Sequence, residues 1–302
     1  MTLGRALLRR RLLVVTGKGG VGKTTVAGLL GRWLADRGRT VVVIEIDPRE
    51  SLHRLFDAPP SSGRVVAIDD RLYLQNLRPR DVLDQLTRER LRIGFLARRV
   101  LDSPVYHHFT EGAPGLKELA VLGHAWRLLE GSTAEAPRPD VVVLDAPATG
   151  HGLSLLAAPA LVSEVVEGGP FGAMARQLAE FVRAPEETGL VVATLAEEMP
   201  VQETLELVEG TRRRLGRAPD LVVANALYPP LPSPRPGAVE SPRARLWRLR
   251  REANERELRR LAAAWDGPRV ELPLVPAEAG AGLLGPLAAR LAASLDAREA
   301  AS

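Results

Sequence analysis

One stretch near the start of the chain, residues 16–25, constrains the fold more than any other. It reads TGKGGVGKTT, follows the apolar run 12–15 and precedes a helix-compatible run that begins at Val26. Strand, glycine loop and helix form a phosphate-binding arrangement, because glycines let backbone N–H groups surround a phosphate and the helix N-terminus adds partial positive charge. Residues 17–24 fit G-x-x-x-x-G-K-[ST] without a gap. The sequence therefore predicts a nucleotide site on an α/β fold.

The motif predicts roles for individual residues of this loop. Lys23 is expected on the β- and γ-phosphates, and the Thr24 hydroxyl is expected to bind Mg²⁺. Thr25 is expected on the α-phosphate side. The other predicted contacts with the nucleotide come from loop residues Gly17, Gly19, Gly20, Val21 and Gly22.

Three of the loop glycines also spell the dinucleotide fingerprint G-x-G-x-x-G, and Glu45 mimics the acid that binds a ribose. The lysine-threonine pair favours a nucleoside triphosphate instead, because a pyrophosphate on a dinucleotide fingerprint needs no lysine at position 23. The distribution of lysine supports the same choice. Two of the chain's three lysines stand in the loop, which indicates that a compact ammonium group is required there. The three are Lys18, Lys23 and Lys117.

Composition restricts the other classes of function. The 302 residues allow one large α/β domain or about two ordinary ones. The absence of cysteine excludes disulfides, thiolate metal sites and cysteine catalysis, and with five scattered histidines no zinc site is expected. A net charge of only +4 gives no reason to expect nucleic-acid binding. No apolar run is long enough to span a bilayer, so we expect a soluble, cytoplasmic chain without stable membrane insertion.

Two later apolar runs end in a carboxylate. Residues 41–46 read as a buried parallel strand that ends at Asp47, and residues 141–144 read as another that ends at Asp145. Carboxyl ends of parallel strands lie beside the ligand crevice of an open α/β sheet. Asp145 fits the Walker B pattern, whose carboxylate holds the Mg²⁺ shell. Asp47 is expected near the metal, where it would orient the attacking water or accept its proton; the alternative is a turn cap before Pro48.

The order of elements predicts a doubly wound, mostly parallel α/β sheet of the P-loop NTPase type. Residues 1–302 are predicted to form a single domain of this kind. No strand pattern interrupts residues 79–130, which are predicted to form a small helical subdomain inserted within it. Apolar helical runs within 150–183 either pack in the core or line a groove for a client.

Three motifs together resemble the ArsA family. They are K-G-G-V-G-K-T-T at 18–25, D-P-x-x-S-L at 47–52 and D-A-P-A-T-G-H at 145–151. This family comprises arsenite-pump ATPases and ATPases that target tail-anchored membrane proteins. The resemblance implies an ATPase that uses ATP/ADP and Mg²⁺ and opens and closes as a homodimer, or as a heterodimer with a paralogue. It also implies an unknown client or membrane-protein partner.

The resemblance implies further roles for single residues. Lys18 would reach across the dimer to the partner's nucleotide, and one loop has little room for two ammonium groups at one γ-phosphate. Asn225, at the end of a predicted strand, would read the adenine, and Pro276 and Ala277 would lie in the loop that closes over the base. The predicted catalytic residues are Asp47, Lys18 and Lys23.

The sequence also departs from the family's pattern. Arg49 and Glu50 stand where the family often has small or amide side chains, and the cysteines of its zinc and metalloid sites are absent. Arsenite binding is therefore not supported. Two alternatives remain open: a positioning ATPase similar to ParA and MinD that acts on DNA or a membrane surface, and a scaffold that binds nucleotide without hydrolysing it.

Overall fold

The computed structural model describes residues 3–46, 49–90, 115–133, 137–147, 152–165, 168–232, 240–277 and 279–297. Within these ranges, eight strands form one sheet: β1 Leu12–Thr16, β2 Val41–Glu45, β3 Val65–Ala67, β4 Leu72–Asn76, β5 Val141–Asp145, β6 Thr188–Leu195, β7 Leu221–Leu227 and β8 Arg269–Pro273. Their order is β3-β4-β2-β5-β1-β6-β7-β8, and every neighbouring pair is parallel except β3 with β4. The predicted mostly parallel sheet is confirmed.

Helices cover both faces of the sheet. They are α1 Leu3–Leu8, α2 Lys23–Ala35, α3 Ser51–Leu55, α4 Pro79–Arg90, α5 Leu116–Leu129, α6 Gly152–Val165, α7 Gly169–Arg183, α8 Glu198–Leu215, α9 Pro242–Ala264 and α10 Gly280–Asp296. Alternate residues of β1 enter two separate cores on opposite faces of the sheet. Leu13 and Val15 pack in one core with α1, α2, α3 and α10. Leu12 and Val14 pack in the other core with α4 to α7. Burial on both faces explains the nearly continuous apolar strands.

The strand order sets the position of the crevice. Strand β1 lies between β5 and β6, so the chain winds away from β1 on both sides. In the register of the sheet, Asp145 at the end of β5 is level with Val15 of β1 and Glu45 of β2. The carboxyl ends of these central strands therefore meet at one place, which is where open α/β sheets bind ligands.

Only part of the predicted helical insertion is described. Helices α4 and α5 fall within it, and residues 91–114 lie outside the described ranges. Leu119 and Leu122 of α5 pack in the same core as Val42 of β2. A separate subdomain at 79–130 stays a prediction. Across the described ranges, no helix combines the length and the apolar character needed to cross a bilayer.

Helix α5 contributes a buried histidine that predicts a pH dependence of stability. The His124 side chain is 3% exposed, and its Nε2 lies 2.9 Å from Oε1 of Gln75 in β4. Burial, aided by the charge of Arg127, lowers the pKa of His124 from 6.5 to about 4. Below pH 6.5 the unfolded chain takes up the proton first, so folding loses stability as the pH falls. We expect the free energy of unfolding to decrease by up to about 3 kcal/mol between pH 6.5 and 4.

Urea unfolding at several pH values across this window measures the effect. The His124→Gln protein lacks the titrating group, so its stability should depend less steeply on pH than that of the unmodified protein. Parallel pH profiles for the two proteins would show that His124 does not cause the loss.

Candidate functional site

The loop between β1 and α2 has a backbone that requires glycine. Gly17, Gly20 and Gly22 have φ values of 142°, 80° and 88°, in the left-handed region that disfavours other residues. A Cβ at Gly17 would lie 2.2 Å from the carbonyl oxygen of Ala193 in β6, and one at Gly22 would lie 2.1 Å from Nδ2 of Asn225. The loop therefore sits directly against the ends of β6 and β7.

Two side chains of the first turn of α2 form hydrogen bonds at the loop. Lys23 is 7% exposed, and its Nζ donates a hydrogen bond of 2.9 Å to the carbonyl oxygen of Lys18. The Thr24 hydroxyl donates to Oδ2 of Asp145 at 2.5 Å. The structure thus brings an ammonium, a hydroxyl and a carboxylate together over one loop.

A cavity of about 270 Å³ opens above these groups. It is lined by Gly20, Gly22, Lys23, Thr24, Ile46, Asp145, Ala146 and Pro147. Its hydroxyl and carboxylate are oxygen donors, the ligands that Mg²⁺ prefers, and Mg²⁺ commonly completes its shell with water and substrate phosphates. Within the described ranges no group of three or more His, Asp or Glu side chains could hold a metal ion. The oxygen donors of Thr24 and Asp145 fit a Mg²⁺ ion that arrives with a nucleotide.

Lys18 occupies a different environment from Lys23. Its side chain is 54% exposed and forms an ion pair with Oε1 of Glu203 on α8. The two lysine side chains of the loop therefore differ: that of Lys23 is buried against the loop backbone, and that of Lys18 lies at the surface. Sequence reasoning missed Glu203, because a glutamate on a charged helix carries no signal of its partner.

Asn225 contacts the loop directly. Its Nδ2 donates to the carbonyl oxygen of Val21 at 3.1 Å. The next residue, Ala226, has a φ of 55°, and the pairing of β7 with β8 shifts register at this point. The contact with the loop thus lies beside an irregularity in the pairing of β7 with β8. Pro276 and Ala277 lie between β8 and α10, where Ala277 N donates to the carbonyl oxygen of Val275 at 2.9 Å.

Glu45 has a structural role that its sequence position did not reveal. It is fully buried, and its carboxylate accepts a hydrogen bond of 3.0 Å from the backbone N–H of Leu52 in α3. A buried carboxylate engaged with a helix is unsuited to hold a ribose, which argues against the dinucleotide alternative. Ile46 lines the cavity. Asp47, the next residue in the sequence, lies outside the described residues.

Comparisons with known proteins relate the chain to a family of ATPases. The anion-transporting ATPase (ArsA) family matches residues 10–184, which include the loop and Asp145 but not Asn225. ATPase BagA of Mycobacterium tuberculosis is 31% identical over 212 residues, covering 66% of this chain and 60% of that protein. The arsenical pump-driving ATPase of Escherichia coli is 26% identical over 258 residues, or 80% and 43% of the two chains. ATPase GET3C of Arabidopsis thaliana is 28% identical over 165 residues, or 50% and 42%. The chain thus spans three fifths or less of the length of these curated relatives.

Proposed function

The chain belongs to the anion-transporting ATPase (ArsA) family, and from this membership we propose that it hydrolyses ATP with Mg²⁺ as a dimer that opens and closes with its nucleotide. The observation that carries the proposal is the convergence of Lys23, Thr24 and Asp145 on one cavity at the carboxyl ends of β1 and β5. Release of phosphate from ATP, measured with Mg²⁺ and with excess chelator, tests it. The proposal fails if no Mg²⁺-dependent release is detected.

Four side chains and the loop backbone have tasks in the proposed reaction. Backbone N–H groups of the glycine loop and the Lys23 ammonium would bind the β- and γ-phosphates and stabilise negative charge in the transition state. Thr24 and Asp145 would hold the Mg²⁺ ion and its water shell, and the ion would supply further charge neutralisation. Asp47 would orient the attacking water and accept its proton.

Lys18 supports a dimer in this proposal. Its ammonium is not committed to the cavity of its own subunit, because it pairs with Glu203 at the surface. In a face-to-face dimer, Lys18 would exchange this exposed ion pair for a charge-assisted contact with the partner's γ-phosphate. An exposed ion pair stabilises by roughly 1 kcal/mol or less, so little opposes the exchange.

A prediction about assembly follows from this role of Lys18. ATP should tighten or close the dimer more than ADP does, because only ATP offers the γ-phosphate and a ligand shifts an equilibrium by its differential affinity. The Lys18→Ala protein should lose this difference and hydrolyse ATP more slowly while its ATP affinity changes little. Sedimentation of the slow Asp47→Asn protein, with and without Lys18→Ala, in ATP and in ADP, measures the effect.

Lys117 supplies the matched control for this experiment, since it is an exposed lysine on α5. Lys117→Ala should leave the nucleotide dependence of sedimentation intact. Identical profiles for the proteins with and without Lys18, in both nucleotides, would show that Lys18 acts within its own subunit.

We propose that the hydrolysis energises transport or targeting in the cytoplasm, with an unknown client or a membrane protein as partner. The support is family membership together with two relatives whose names state pump driving. Capture experiments with the Asp47→Asn protein would identify the client as a protein that is retained in ATP and not in ADP.

A further inference from the structure

A second cavity of about 450 Å³ adjoins the first and shares Thr24 with it. Its volume falls within the range of small-molecule pockets. The walls come from the start of α2, from α3 and from the start of α10. The lining residues are Thr24, Thr25, Ser51, Arg54, Leu55, Ala279 and Leu283.

The order of residues along α2 gives the direction in which a nucleotide would cross the two cavities. Lys23 lines the first cavity, Thr24 lines both and Thr25 lines the second. A nucleotide with its β- and γ-phosphates on Lys23 would therefore place its α-phosphate beside Thr25. Its sugar would enter the space between α3 and α10, where Leu55 and Leu283 offer apolar walls.

Arg54 carries the positive charge of this second cavity. The described residues that line the cavity include no other lysine or arginine. Arg54 is exposed, and its guanidinium lies 3.4 Å from the Ser51 hydroxyl, a contact too weak to hold it. It therefore faces the cavity as a cation that can donate to a phosphate without first breaking a strong pair.

Helix α3 presents Arg54 from a fixed position. Leu52 and Leu55 are buried in the core beneath it, and Glu45 holds the N–H of Leu52. The backbone that carries Arg54 is thus anchored on one side while the guanidinium remains free to turn toward the cavity. Because the backbone is already ordered, binding of an anion costs the freedom of the Arg54 side chain alone.

We propose that Arg54 donates hydrogen bonds to the α-phosphate of the nucleotide bound in its own subunit. This inference rests on the proposed function, since it needs a nucleotide on Lys23, and it adds a binding residue from α3 to those of the loop. Guanidinium groups suit this task because their planar donors match the oxygens of a phosphate. The contact is available to ADP and ATP alike, so it strengthens binding of both nucleotides without distinguishing them.

Calorimetric titration with Mg²⁺ and ADP tests the proposal. Arg54→Ala should weaken ADP binding by roughly tenfold, as expected for the loss of a charge-assisted hydrogen bond, and Arg54→Lys should restore part of the affinity. Arg64→Ala is the control, because Arg64 is an exposed arginine outside both cavities. It should bind ADP like the unmodified protein.

A salt series separates a phosphate contact from a structural effect of the substitution. Between about 0.05 M and about 0.5 M NaCl, the difference between the unmodified and Arg54→Ala proteins should shrink, because salt screens a partly exposed charge pair. The nucleotide-free melting temperature should be the same for both proteins. Equal ADP affinities for the Arg54→Ala and Arg64→Ala proteins, or a loss that salt leaves unchanged, would overturn the proposal. Failure of the unmodified protein to bind ADP would instead reject the proposed function.

Discussion

The Lys23→Ala protein is expected to lose ATP and ADP binding, with affinity at least about a hundredfold lower than that of the unmodified protein. Two effects act together. The ammonium is the cation among the described residues that line the first cavity, and charge-assisted contacts with phosphate are among the strongest hydrogen bonds. Lys23 also donates to the carbonyl oxygen of Lys18, so its removal leaves the loop less well held. Calorimetric titration with each nucleotide measures the loss.

Lys117→Ala is the matched control for this substitution, since it removes an exposed lysine from α5. It should bind both nucleotides normally. Melting temperatures without nucleotide should show that the Lys23→Ala protein is folded. Near-normal ATP affinity in folded Lys23→Ala protein would mean that the nucleotide does not occupy the first cavity.

The Asp47→Asn protein is expected to bind ATP with nearly unchanged affinity and to hydrolyse it on the order of a hundredfold more slowly. Asparagine keeps the size of the side chain but has no negative charge and cannot accept the proton of the attacking water. Asp47 follows Ile46, which lines the cavity, and the register of β2 and β5 brings this end of β2 beside Asp145. Release of phosphate at saturating ATP and Mg²⁺ measures the rate.

Asp70→Asn is the matched control for Asp47→Asn, because Asp70 is an exposed aspartate next to β4. Its turnover should equal that of the unmodified protein. If the Asp47→Asn and Asp70→Asn proteins turned over ATP equally fast, another group would have to activate the water.

The sequence predicted the central strands and the glycine loop because local sequence patterns determine these elements. Apolar runs at β1, β2 and β5 are nearly continuous, which indicates strands covered on both faces, and the glycine loop requires a strand before it and a helix after it. Since strand ends collect at the crevice, the proximity of Thr24 and Asp145 followed from the same patterns.

Contacts between distant parts of the chain were not predictable in this way. The pair of Lys18 with Glu203 joins residues 185 positions apart, and Arg54 reaches the second cavity only because α10 packs beside α3. Neither Glu203 nor Arg54 was a predicted site residue. The sequence position of Glu45 suggested an acid that binds a ribose. Its burial and its hydrogen bond with Leu52 depend instead on the packing of α3 against the end of β2, which the sequence does not reveal. Asp47 and the helical insertion at 79–130 stay predictions.

The contact of Asn225 with the carbonyl oxygen of Val21 has a consequence for synthesis of the protein on the ribosome. The two residues are 204 positions apart, so the loop is made long before the side chain that supports it. At roughly 5–20 residues per second, the delay between them is about 10–40 s. For most of that interval the glycine loop lacks the β6 carbonyl against which Gly17 rests, and for all of it the loop lacks the amide that holds Val21. We therefore expect the loop to capture a nucleotide only after β6 and β7, on the far side of β1, have been made and have joined the sheet.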